Sequence, residues 1–183
     1  MLSTEQGQQL IKLAHQAISR ALDQQEAVNV DLTAAWLKQP GATFVTLTKQ
    51  GNLRGCIGSL EAWRPLQDDV VHNALAAAFS DPRFAPVSLS EWPGIKVEVS
   101  LLTPPQEMHF TGEEDAIAQL RPHIDGVMLE YGLNRGTFLP QVWDSLPDPH
   151  QFMRHLKLKA GLPANFWNDG LKLSHYEVQK WTQ

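Results

Sequence analysis

Two alternating runs either side of a four-residue turn constrain this chain more than any other feature. Ala42 to Thr48 sets Val45 and Leu47 between polar Thr46 and Thr48, and Leu53 to Gly58 follows after Lys49-Gln50-Gly51-Asn52. Period-two alternation marks a half-buried strand, and Gly51 supplies the positive φ that a tight turn needs. The pattern predicts an antiparallel hairpin. Its second arm, Leu53-Arg54-Gly55-Cys56-Ile57-Gly58, holds the only cysteine of the chain between two glycines. As a regular strand it would put Arg54, Cys56 and Gly58 on one face and Leu53, Gly55 and Ile57 on the other.

Helices and further strands surround that hairpin. Residues 3–22 repeat Leu10, Leu13, Ala14, Ala17, Ile18, Ala21 and Leu22 at helical spacing, with Ser3 and Gln6 placed as a capping box. Pro65 opens a helix running to Phe79, with Asp68 and Asp69 in the first turns where the dipole favours negative charge. Ile95 to Leu102 alternates cleanly, so it reads as a strand with Glu98 on its polar face. Thr111 with Glu114 predicts a second capping box, and Pro122 ends the helix behind it. Strands are predicted at 126–131 and 137–139, and a short helix at 141–146. A helix framed by Asp148, Pro149 and Gly161 follows, then one last strand from Leu171 to Trp181. Helices mixed with hairpin-linked strands predict an α+β fold, an antiparallel sheet flanked by helices, rather than a parallel wound sheet.

Bulk properties exclude several classes. With 183 residues, 43% hydrophobic and 19% charged, the chain can bury a core and lies far from disordered composition. One cysteine cannot make an internal disulfide, which points to a reducing, cytoplasmic setting. No apolar run reaches membrane length, and the polar N-terminus reads as helix rather than signal peptide. A net charge of −5 argues against a surface that coats nucleic acid. The seven histidines include no pair at three- or four-residue helical spacing, and there is no cysteine-pair framework, so no metal is expected. Neither a phosphate-binding glycine loop nor an esterase elbow is present, and no cofactor is expected.

Chemistry concentrates around Cys56. A guanidinium on the thiol's own face favours the thiolate, whereas free cysteine also serves as a small buried hydrophobe, and both readings stay open. The candidate catalytic pair is Cys56 and Glu98, with Glu98 expected to pair with Arg54 across neighbouring strands. Candidate ligand-binding residues are Arg54, Gly55, Gly58, Asp81, Arg83, Arg135 and Lys159, the two glycines leaving room for a ligand to approach. Each has a plainer reading as ion pair, loop brace, turn residue or helix-end cation.

The hexapeptide, together with Ala78-Phe79-Ser80-Asp81-Pro82-Arg83-Phe84, Val97-Glu98-Val99-Ser100, Gly136-Thr137-Phe138-Leu139-Pro140-Gln141-Val142-Trp143 and Lys159-Ala160-Gly161-Leu162, resembles the AMMECR domain family. Thr137 stands where a bulkier apolar residue is usual. The resemblance spans nearly the whole chain. It implies one domain over 1–183 made of two unequal subdomains, the larger holding both termini, with the hexapeptide facing a cleft between them. It also implies similarity to protein A of the AmmeMemoRadiSam system, hence a Memo-like protein and a radical SAM protein as partners, and an unidentified cleft ligand. It implies no reaction. Three functions follow as expectations: a binding or accessory component, a cysteine-dependent enzyme using Cys56, or a protein tied to RNA modification.

Overall fold

A computed structural model describes residues 1–24 and 31–183. In chain order the elements are α1 (Thr4–Ala21), β1 (Ala42–Lys49), β2 (Asn52–Gly58), α2 (Leu66–Phe79), β3 (Ile95–Leu102), β4 (Gln106–Glu107), α3 (Glu113–Gln119), β5 (Gly126–Tyr131), β6 (Asn134–Phe138), α4 (Pro149–Lys159), β7 (Lys172–Tyr176) and β8 (Val178–Thr182). Short 3-10 turns at Ala35–Lys38, Trp92–Gly94 and Pro140–Asp144 complete the set. The class is α+β, with two four-stranded sheets built on antiparallel pairings.

The chain forms two compact units, Met1–Leu102 with Gln179–Gln183, and Thr103–Val178. The first is built on the sheet β2-β1-β3-β8. One face of that sheet supplies Val45, Leu47, Val97 and Val99, which bury against Leu10, Ala14 and Ile18 of α1 and Val70, Ala74 and Ala77 of α2. Apolar spacing of three and four along α1 makes that burial possible, and the Ser3–Gln6 capping box satisfies the helix's first donors. Small residues on α2 let the helix come close to the sheet. The second unit is built on β4-β7-β5-β6. Val127, Leu129 and Leu173 pack there on Phe152, Met153 and Leu156 of α4, with Trp143 stacked on Phe152 at 3.7 Å between ring centres.

Three local expectations need correction. Thr111 does not cap α3: its N–H and Oγ1 both donate to Asp115 Oδ2, at 2.8 and 3.1 Å, and Gly112 occupies the cap position. Both Thr111 donors turn to the carboxylate four residues on, and no side chain accepts from the first N–H groups of the helix at its cap. The strand predicted at 137–139 begins earlier, at Asn134, because Gly132 at φ 56° tightens the turn. The last predicted strand is two strands, broken at Glu177, with β7 in one sheet and β8 in the other.

Candidate functional site

Cys56 sits half-buried on β2, directly opposite Thr46 of β1. Thr46 Oγ1 donates to Cys56 Sγ at 3.3 Å. The Cys56 backbone does not bond to β1. Its N–H donates to Asp81 Oδ2 at 2.9 Å, and its C=O accepts from Arg83 Nη2 at 3.1 Å. This is a non-hydrogen-bonded position of the antiparallel ladder, where opposed side chains lie closest.

The Asp81 and Arg83 side chains hold each other as well. Arg83 Nη2 and Nε donate to the carboxylate at 2.7 and 3.0 Å, and the Arg83 N–H adds a third bond at 3.1 Å. Asp81 is 4% exposed. The Arg83 guanidinium, against the cost of burial, holds its carboxyl far below the usual range, and the Cys56 N–H adds to the effect. The plainer sequence reading of these two residues as a loop brace describes the geometry, with the addition that the brace grips the cysteine's own peptide groups.

Arg54 corrects the expected geometry. The β1–β2 register shifts between Leu47 and Thr48, so Gly55 faces Leu47, Leu53 faces Thr48, and Arg54 is the extra residue of a bulge. Leu53, opposite Thr48, therefore lies on the face of Cys56, and strict alternation does not carry through to Arg54. The Arg54 side chain turns to the α2–β3 connection instead. Nη2 donates to Glu91 Oε1 at 2.6 Å and to the Ala85 carbonyl at 2.8 Å. Lys49 Nζ reaches the same Glu91 at 3.0 Å. The Arg54 guanidinium, with the Ser88 N–H and Lys49 assisting against burial, holds the Glu91 carboxyl down at about 2.

Glu98 is not Arg54's partner either. It lies opposite Thr46 from the other side, so Cys56, Thr46 and Glu98 form one row over β2, β1 and β3. Two interstrand steps separate Cys56 from Glu98, roughly 10 Å. Glu98 accepts from Thr182 Oγ1 at 3.4 Å and pairs with Lys180 Nζ at 3.2 Å, both from β8. The glycines do not hold a ligand channel open. A Cβ on Gly55 would meet the Ala77 carbonyl oxygen at 2.2 Å, and one on Gly58 would meet the Phe44 ring at 2.2 Å. They admit α2 and Phe44 respectively.

Arg135 and Lys159 belong to the second unit. Arg135 pairs with Glu130 at 3.3 Å and reaches Met128 Sδ at 3.1 Å, while Lys159 Nζ lies 4.9 Å from the centre of the Phe138 ring. Sequence reasoning missed a buried network beneath the hairpin. Fully buried Asp69 accepts from Thr43 N and Oγ1, both at 2.7 Å, from Ser59 Oγ at 2.7 Å and from Asn73 Nδ2 at 3.0 Å. Arg64 Nε stands 3.0 Å from the same carboxylate as an ion pair without an aligned hydrogen bond. A signal for it existed: Asp69 and Asn73 lie three and seven residues after Leu66, on the inward stripe of α2. Glu91 was also legible, as the acid three residues after Ser88, whose N–H it accepts at 3.1 Å.

The first unit therefore offers a thiol, a hydroxyl and a carboxylate along one row of a sheet. No imidazole or carboxylate is bonded to Cys56 Sγ, and no cluster of three or more metal-ligating side chains exists, among the described residues. Among the described residues no helix is long and apolar enough to cross a membrane.

Residues 11–181 match the family model AMMECR1. A protein of Methanothermobacter thermautotrophicus is 38% identical over 97% of this chain and 94% of its own length. One from Methanocaldococcus jannaschii is 35% identical over 98% and 90%. The crystal structure of an uncharacterised protein from Pyrococcus horikoshii superposes with a TM-score of 0.82 at 31% identity, covering all of this chain and 93% of that one.

Proposed function

Because this chain belongs to the AMMECR1 family, we propose that it is a binding or accessory component that presents its Cys56 strand to a ligand and works with a Memo-like protein and a radical SAM protein. One observation carries the reading. The charged groups nearest the thiol are spent on architecture: Arg83 and Asp81 grip the Cys56 backbone, and Arg54 is held by Glu91. A strand held this firmly is preorganised for recognition, which lowers the ordering cost of binding. The partners come from the resemblance of the sequence blocks. Affinity capture of the tagged chain from its native organism tests them, with both partners expected in the eluate. Recovery of neither, under conditions that retain known complexes, overturns the partnership.

A cysteine-dependent enzyme is the second reading, favoured by the Thr46 hydroxyl directed at the sulfur. It requires Cys56 to alkylate readily near neutral pH and Cys56→Ala to lose biological activity. Full activity in that variant ends it. Of the cations an RNA-directed role would draw on, Arg54, Arg83 and Arg135 are ion-paired to carboxylates, and Lys159 lies over the Phe138 ring.

A further inference from the structure

The ion pair that grips Cys56 brings two opposite charges to one thiol. The Asp81 carboxylate accepts the Cys56 N–H at 2.9 Å, and the Arg83 guanidinium donates to its C=O at 3.1 Å, so each charge stands one residue's width from the sulfur. A nearby cation favours a thiolate, and a nearby carboxylate disfavours it. Arg83 responds to that proximity. Its guanidinium is held more firmly in the charged form, first by the hydrogen bond to Asp81 and further by the charge of the Cys56 thiolate, against the cost of burial. Among the described residues of the first unit, the other groups around this strand are neutral or already paired. Thr46 of β1 brings a hydroxyl to 3.3 Å from the sulfur. Arg54 and Lys49 share Glu91. Glu98 of β3 stands two interstrand steps away and has Lys180 of β8 as its partner. Asp69 of α2 is spent on Thr43, Ser59 and Asn73.

We infer that the Asp81–Arg83 pair sets the ionisation of Cys56, Arg83 promoting the thiolate and Asp81 opposing it, which makes both of them positioning residues for the sulfur. The inference rests on the cysteine-dependent reading of this site and names what regulates it. It gives Arg83 the part that strand alternation assigned to Arg54, whose charge is answered by Glu91 instead. Because the two charges are locked together at 2.7 Å, their effects on the sulfur oppose each other and separate only when one is removed. Removing the guanidinium leaves a buried carboxylate at the Cys56 N–H. Removing the carboxylate's charge leaves the guanidinium unanswered. The two changes therefore act on the thiol with opposite signs, which a purely structural brace would not produce.

The pH profile of iodoacetamide alkylation at Cys56, followed by mass spectrometry on the full chain, separates ionisation from access. Near neutral pH, Arg83→Met should slow alkylation by about fivefold or more, and Asp81→Asn should speed it by about threefold or more, as expected for a charge gained or lost beside a thiol. Arg83→Lys keeps the cation and should restore most of the parent rate. The profiles should converge above about pH 10, where nearly all thiol is ionised whatever its neighbours. Unchanged rates, shifts of the same sign, or differences that persist undiminished at high pH overturn the pair as an electrostatic control. The cysteine reading then still stands or falls with the activity of Cys56→Ala. A Cys56 that resists alkylation at every pH, in parent and variants alike, ends that reading and this inference with it. If Arg83→Met does not fold, Asp81→Asn decides alone: faster alkylation supports the control, and an equal or slower rate refutes it.

Discussion

Two buried charges, Asp69 in the first unit and Lys157 in the second, are held in different ways. In the first, Asp69 is surrounded by donors from both arms of the hairpin region and from α2, with Arg64 beside it, so its charge is divided among many partners. In the second, Lys157 of α4 is fully buried and pairs with Glu113 at the start of α3, its other neighbour being the face of Trp167 at 5.6 Å. The first arrangement ties β1, the end of β2 and α2 into one body beneath the Cys56 strand. The second joins two helices through a single bond. A buried charge with distributed partners should therefore be costly to remove, whereas one with a single partner should depend on which partner is lost.

The largest effect is expected from Asp69→Ala. It strands the Thr43, Ser59 and Asn73 donors and the Arg64 charge at once, and should lower unfolding free energy by about 3–5 kcal/mol in urea titrations. The second unit gives an asymmetric pair. Glu113→Ala leaves Lys157 buried without its counter-ion and should cost roughly 3 kcal/mol, while Lys157→Met leaves only a partly exposed glutamate and should cost less than about 1 kcal/mol or stabilise. Equal losses from those two variants would erase the distinction between the Asp69 and Lys157 sites. Gly55→Ala comes next, since its new Cβ must displace the Ala77 carbonyl, at about 1–3 kcal/mol by the same titration.

The smallest effect is an acid limb. Glu91 has its folded pKa depressed from 4.5 to about 2 by Arg54, so its contribution is complete above pH 4.5 and is lost as pH falls toward 2. Thermal melts of Glu91→Gln should differ from the parent above that window and converge with it below. A constant difference down to pH 2 would mean that the Arg54 pair does not set this part of the stability.

Much of the site could be read from the chain, though not its wiring. Strand β3 falls on the predicted Ile95–Leu102, because period-two alternation is a local property of a half-buried strand. The turn at Gly51, with φ 81°, and the capping box at Ser3 are equally local. The pairing of Arg54 was misread because a one-residue bulge inverts every facing relation beyond it, and nothing in Leu53-Arg54-Gly55 marks where the extra residue goes. The glycines were misread for a related reason. A missing Cβ says that something approaches closely, but not whether it is a ligand, a helix carbonyl or a neighbouring ring.

Local chemistry thus determined the helices, the hairpin, the α+β class and the choice of Cys56 as the centre of interest. Tertiary structure alone decided that Asp81 and Arg83 hold the Cys56 backbone from 25 and 27 residues away. It alone decided that Arg54 turns to Glu91, and that Glu98 faces β8. It also cut the last alternating run in two: Lys172–Tyr176 completes one sheet and Val178–Thr182 the other, with Glu177 bonded to Thr103 through its N–H and C=O. Alternation specifies that a segment is a strand with two unlike faces. Which edge it joins depends on the strands already waiting there, and that information lies far away in the chain.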